Sequence, residues 1–261
     1  MTALQWVCAA GVGAAGYGWA EAQAFTTRHI TVAGTAPLRI LHLSDLHLTP
    51  GQTRKIQWLA SLADTEPDLV VVTGDFLAHR MAVPAVAEAL DGLLNRPGVF
   101  VFGSNDYNGP VFKNPFGYFN TNRVPTREGV VLPTEDLREM LTERGWHDLD
   151  NAEVRLTVGQ STIHARGTND AHIELDDYTS VAGPFDTGAF ALGVTHSPYS
   201  RITSAFTRDG AELILAGHTH GGQVCVPGYG ALVTGVGTSP ITPFRIACRP
   251  EATLLTITQR G

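Results

Sequence analysis

Short apolar runs that each stop in a small polar cluster constrain this chain more than any other feature. Leu69-Val-Val-Val-Thr73 is continuously apolar, as in a strand covered on both faces, and it stops at Gly74-Asp75. Leu41-His-Leu-Ser-Asp-Leu-His-Leu48 alternates apolar with polar and delivers Asp45 and His47 two positions apart. If the extended conformation persists that far, both side chains point the same way. A third run, Val99 to Phe102, stops at Gly103-Ser104-Asn105-Asp106. Between these runs the spacing is helical, through Ile56, Leu59, Ala60 and Leu62, and then through Val86, Leu90, Leu93 and Leu94. A strand–helix–strand–helix–strand series builds a mainly parallel sheet with right-handed crossovers. Ligands of such sheets gather outside the carboxyl ends of the strands. The three clusters are therefore expected in one crevice.

The same pattern returns downstream. Phe190 to Thr195 reads as a strand ending in His196, and Leu213 to Ala216 as one ending in Gly217-His218-Thr219-His220, with a helix over Ser197 to Arg208 between them. His29 to Val32 is a short first strand, and Thr134 to Arg144 a helix. Glu153 to Val158 and Thr162 to Arg166 form a hairpin across Gly159-Gln160. Gln223 to Val226, Phe244 to Cys248 and Ala252 to Ile257 are expected to close the fold as strands. Two stretches read as loops. Tyr107 to Pro133 carries Phe112, Phe116, Tyr118 and Phe119, which serve either a substrate lid or the loop's own packing. Thr168 to Gly188 is polar and acidic.

Ordinary composition, 43% apolar over 261 residues, is enough for one domain with a full core, assigned to residues 25–261. A net charge of −7 argues against a protein held to nucleic acid by its phosphates. Small phosphorylated substrates stay open, because bound metal can supply local positive charge. Cys8, Cys225 and Cys248 form neither a disulfide framework nor a Cys-x-x-Cys pair. From Ala3 to Ala20 the only clearly polar side chain is Gln5, so residues 1–24 read as a membrane anchor or a signal segment. No Lys or Arg precedes that run, which favours an uncleaved anchor and a membrane-associated or exported protein.

Asp-x-His alone is also what a polar strand terminus looks like; five clusters in order are more specific. Asp45-x-His47, Gly74-Asp75, Gly103-Ser104-Asn105-Asp106, His196 and Gly217-His218-Thr219-His220 resemble the calcineurin-like metallophosphoesterase superfamily over about Leu38 to Val226, and its membrane-associated bacterial branch in particular. The resemblance implies a four-layer α/β/β/α fold, in which a two-sheet β-sandwich is flanked by helices. It also implies two divalent ions (manganese, iron or zinc) and hydrolysis of a phosphomonoester or phosphodiester by water activated between them. Asp45, His47 and His220 would hold one ion, His196, His218 and an Asn the other, and Asp75 would bridge them. A phosphorylated small molecule or a lipid-linked phosphoester is the implied substrate.

The chain departs from the family pattern twice. Where the family has Gly-Asn-His-Asp, this chain has Gly103-Ser104-Asn105-Asp106. A serine hydroxyl is a poor ligand, so a one-residue slip is expected to let Asn105 coordinate, which leaves Asp106 near the missing histidine. Asp106 serves as a catalytic acid only if burial raises its pKa; the other reading is a structural cap or a place behind the ligands. Farther on, Tyr229 to Thr234 runs directly into Gly235 to Thr238, where relatives carry a further loop and strand, so the C-terminal part is expected to be shortened. The missing histidine also motivates a rival reading, a binding or scaffold protein that keeps the fold with weakened turnover. Of the remaining histidines, His42 reads as packed or lying behind the ligands, and His172 as a surface or hairpin residue.

Overall fold

Alternation along each strand sorts the side chains into layers. The computed structural model describes residues 24–111, 129–219, 225–226, 230–231 and 251–259, with scattered positions before residue 18. Its first sheet holds β1 (Thr27–Gly34), β2 (Leu38–Ser44), β3 (Leu69–Thr73), β4 (Gly98–Val101), β5 (His147–Asp148) and β12 (Glu251–Gln259). The second holds β6 (Glu153–Val158), β7 (Ser161–Thr168), β8 (Phe190–Thr195) and β9 (Leu213–Ala216). A separate pair joins β10 (Cys225–Val226) to β11 (Gly230–Ala231).

On β2 to β4, Leu41, Leu43, Val70, Val72 and Phe100 pack with helices α1 (Thr53–Ser61), α2 (Val83–Leu90) and α4 (Thr134–Glu143). Ile40, Leu69, Val71, Val99 and Val101 have the opposite parity and meet Ile163, Ala165, Leu192, Val194 and Leu215 of the second sheet. Ala191 on the outer face of that sheet packs with Ile202 and Phe206 of α5 (Ser200–Arg208). The result is the expected four-layer sandwich of helices, two sheets and a helix.

Strands β2, β3, β4 and β5 run parallel, as do β7, β8 and β9, while β6 and β7 form the expected antiparallel hairpin. The C-terminal strand is less simple than a closing strand. It inserts between β1 and β2, parallel to the first and antiparallel to the second. Thr27 pairs with Ala252 and Ala252 with Leu43. The chain therefore enters the domain at the end of the sheet where β2 delivers Asp45, two strand spacings (about 10 Å) away.

Several expectations lie outside the described residues: the aromatics of 112–128, the strand at Phe244 to Cys248, and the fused segment around Thr234-Gly235. Most of the N-terminal run lies outside them as well. Among the described residues no helix is long and apolar enough to cross a membrane, and the described positions of the run at 5, 6, 9, 11–13, 16 and 17 are helical.

Candidate metal centre

The loops that leave the parallel strands continue to pair beyond the sheets. Asp45 N–H donates to Gly74 O (3.0 Å), His47 N–H to Asp75 O (2.8 Å) and Leu48 N–H to Phe76 O (2.8 Å). In the second sheet Gly217 N–H donates to His196 O (2.9 Å). These bonds force a backbone the sequence did not announce. Extended geometry ends at Ser44, and Asp45 (φ 56°) and His47 (φ 43°) are left-handed, as are Asp75 (φ 55°) and His218 (φ 67°). The expectation that Asp45 and His47 converge through strand periodicity is corrected: two left-handed turns aim them. Four of the seven non-glycine residues with positive φ among those described are thus expected ligands. Strain of this kind, costing about 1–3 kcal/mol per residue, persists where the surroundings hold it for function.

Donor atoms of Asp45, Asp75 and His196 all lie within 4.8 Å of one another, and all three residues are buried. Asp75 is the hub. His47 Nε2 stands 3.6 Å and His196 Nε2 3.5 Å from its Oδ2. Asn105 donates its N–H to Asp75 Oδ1 (2.9 Å) and its side-chain amide to Oδ2 (2.7 Å). Burial alone would raise the Asp75 carboxyl, but the charge and hydrogen bond of His196, then His47 and Asn105, hold it well below the usual carboxylate range. Conversely, burial lowers His196, yet the Asp75 carboxylate holds it well above an ordinary imidazole. His196 Nδ1 donates to Thr73 O (2.6 Å), which fixes the tautomer and turns Nε2 toward Asp75.

His218 comes from the other sheet. Its N–H lies 3.1 Å from both Asp45 oxygens, and its Nδ1 is 3.3 Å from His196 Nε2. Burial lowers its pKa to about 3, helped by His196 and His172. Glycines let the backbone come this close. A Cβ at Gly103 would run into Asp75 and His196, and one at Gly217 into Ser44 and Asp45. Beneath the loops, Phe76, Phe100 and Phe102 form a buried aromatic floor with ring centroids 5.3–6.3 Å apart.

Asp106 is fully buried within the short helix α3 (Ser104–Tyr107). Oδ2 accepts from Asp75 N–H (2.7 Å) and Gly103 N–H (3.0 Å), and Oδ1 from Leu77 N–H (3.0 Å). Burial, with the Asp75 charge, pushes its pKa up to about 8, against the pull of the Gly103 and Leu77 N–H groups.

The donor set fits a divalent cation. Buried carboxylates and a tautomer-fixed imidazole close enough together to share one ion are what manganese, iron or zinc accept. Residues 38–222 match the family model for calcineurin-like phosphoesterase. The chain belongs to that family. Among curated relatives, this phosphoesterase-family chain is 25% identical to YpbG of Bacillus subtilis over 243 residues, 86% of this chain and 82% of YpbG. It is 29% identical to the metallophosphoesterase YkoQ of the same organism over 197 residues, 73% of this chain and 63% of YkoQ. It is also 29% identical to a bovine transmembrane protein with metallophosphoesterase domain over 213 residues, 78% of this chain but 46% of that one.

Of the seven expected ligands, Asp45, His47, Asp75, Asn105, His196 and His218 of this calcineurin-like domain are brought together, and His220 lies outside the described residues. The side chain of Asn105 reaches Asp75 as a hydrogen-bond donor. Sequence reasoning missed the end of β7. His172, read as a surface or hairpin residue, is half-buried with its ring 4.5 Å from that of His218. The available signal was that β7, like β8, ends in a polar cluster, Thr168-Asn169-Asp170.

His42 lies behind the ligands, its Nε2 2.8 Å from Thr73 Oγ1. Burial holds its pKa down to about 4, with Asp45 pulling the other way, so it is neutral when folded. The unfolded chain binds this proton near pH 6.5. Stability contributed by neutral His42 is therefore complete above about pH 6.5 and falls away toward pH 4, by roughly 3 kcal/mol. His42→Gln is expected to narrow the difference in urea-unfolding free energy between about pH 7.5 and pH 4.5 by ~2 kcal/mol. A difference as wide as in the wild type would mean that His42 is not the group that titrates.

Proposed function

We propose that this protein hydrolyses a phosphomonoester or phosphodiester at a dinuclear metal centre. The observation that carries the reading is the buried convergence of Asp45, Asp75 and His196, joined by His47, Asn105 and His218 from five strand-end loops. In this reading Asp45, His47 and His220 hold one ion, Asn105, His196 and His218 the other, and Asp75 faces both. Bound there, the two ions supply an activated water at neutral pH and neutralise charge developing on the phosphoryl oxygens. The chain's own part is positioning: Thr73 O orients His196, the His218 N–H orients Asp45, and Asn105 holds both Asp75 oxygens. Asp106 works as the clamp that ties the loops after β3 and β4, since its oxygens are spent on three backbone N–H groups. The test is hydrolysis of a generic aryl phosphodiester and an aryl phosphomonoester, with manganese, iron or zinc supplied in turn. Absence of turnover in folded, metal-loaded protein would favour the scaffold reading.

The substrate in this reading sits at a lipid surface. The apolar N-terminal run enters the domain at the site end of the first sheet, at Thr27, after Phe25 stacks on Trp58 of α1 (5.4 Å). Beyond that run, the exposed large apolar residues among those described are Met81, Val111, Val130 and Val131, all in loops that follow β3 and β4. The full chain is expected to float with phosphatidylcholine–phosphatidylglycerol vesicles. Leu4→Asp/Val7→Asp/Val12→Asp should release it without changing turnover of the soluble aryl ester. Flotation that survives the triple substitution would remove the N-terminal run from this picture.

A further inference from the structure

The segment Asn169–His172 leaves the carboxyl end of β7 in the second sheet and touches α3, the Asn169 side chain exchanging hydrogen bonds with Tyr107 OH (2.7 and 3.0 Å). We propose that His172 is a substrate-binding residue of this centre, donating from Nε2 to a phosphoryl or leaving-group oxygen where the Gly103-Ser104-Asn105-Asp106 loop carries no histidine. The inference rests on the phosphoesterase reading above. It goes beyond that reading by assigning the missing imidazole to the opposite sheet.

Three observations carry it. First, His172 lies outside the expected ligand set yet touches it, with ring centroids 4.5 Å from His218 and tilted by 45°. It is half-buried, so part of the residue remains open to solvent. Second, one nitrogen of its ring is already engaged. Tyr199 OH lies 3.1 Å from His172 Nδ1. A neutral phenol both donates and accepts, so Tyr199 holds this nitrogen in either tautomer of the ring. In the proposed contact Tyr199 donates to Nδ1 and Nε2 carries the ring proton.

Third, the segment is built in a way that packing does not require. Asp170 is fully buried, and its Oδ1 accepts from His172 N–H (2.9 Å) and Ser197 Oγ–H (2.5 Å). Its Oδ2 is the buried side-chain polar atom without a hydrogen-bond partner among the described residues. Leaving a buried carboxylate oxygen unmatched is costly and marks a place where a ligand or its shell is missing. The same charge acts on the centre, adding to the upward shift of His196 and opposing the downward shift of His218. Asp170 thus fixes the backbone of His172 while facing the ligands, and Arg201 steadies the arrangement by donating to Ala171 O and lying over the Tyr199 ring.

The test uses the full chain loaded with manganese and measures inorganic phosphate binding by titration calorimetry beside kcat/KM for the aryl phosphodiester and bound metal by elemental analysis. For His172→Ala, phosphate affinity and kcat/KM are each expected to fall roughly 10–100-fold, the scale of one lost donor to a charged oxygen, with metal content unchanged. His172→Gln, which restores an N–H donor, should recover part of both, and Tyr199→Phe should fall between. Unchanged phosphate affinity in His172→Ala would overturn the assignment, and so would loss of metal in step with phosphate, which is what a purely structural ring would give. A wild type that binds phosphate through His172 but turns nothing over would overturn the phosphoesterase reading and sustain this one.

Discussion

Asp75→Asn is expected to lower metal-dependent phosphodiester turnover by at least about 10³-fold, the upper end for a single electrostatic group. The substitution keeps the shape of the side chain and changes its charge and its acceptors. Asp75 now receives two hydrogen bonds from Asn105 and faces two imidazoles, with His47 Nε2 and His196 Nε2 at 3.6 and 3.5 Å. An amide in its place presents one NH2 to that ring of donors, and the residue loses the anion that holds His196 well above an ordinary imidazole. It also loses the second oxygen with which one side chain can face two ions. Kinetics with added manganese, iron or zinc measure the first loss, and metal titration of the folded variant the second. A variant that keeps turnover within ten-fold of wild type would remove Asp75 from the centre of the site and undo the dinuclear reading with it. If the wild type itself is inactive, metal titration of the variant still reports whether Asp75 holds the ions.

How far the sequence could be read follows from what kind of information each feature needs. The runs at Leu69–Thr73 and Phe190–Thr195 are local signals, and their strands, order and polar ends came through. So did the hairpin of β6 and β7, whose turn fixes its own register. The position of β12 was not legible, because an alternating strand carries no mark of which neighbour it will pair with, and here it pairs with both β1 and β2 across more than two hundred residues. The aim of Asp45 and His47 was misjudged for a related reason. Their left-handed backbone is imposed by hydrogen bonds to Gly74 and Asp75 in a different loop, and no local propensity favours it. His172 escaped notice because a histidine in a polar loop looks the same whether it meets solvent or the ring of His218, and only the parallel pairing of β7 with β8 and of β8 with β9 brings the two together.

Asp106 separates two roles that the sequence left open, a catalytic acid and a structural cap, and its substitutions are expected to act on stability first. Asp106→Ala would strand three buried N–H groups, those of Asp75, Leu77 and Gly103, at a cost of roughly 4 kcal/mol. Two of these N–H groups lie in the loop after β3 and one in the loop after β4, so the loss loosens the two loops that present Asp75 and Asn105. Thr134 Oγ–H also donates to Asp106 O (2.7 Å), which ties the same turn to the start of α4. Weaker metal binding should therefore accompany the lower urea midpoint. Asp106→Asn keeps one carbonyl oxygen able to serve Asp75 and Gly103 and turns an NH2 toward Leu77, so it should cost about half as much. In the clamp reading, Asp106→Asn that is folded and metal-loaded keeps kcat within about ten-fold of wild type, because the fully buried carboxyl never meets the leaving group. The acid reading makes the opposite forecast: near-normal stability in Asp106→Asn, with a rate loss that deepens as the leaving group becomes more basic. Comparing p-nitrophenyl with alkyl esters for this one variant, beside its urea unfolding, decides between them.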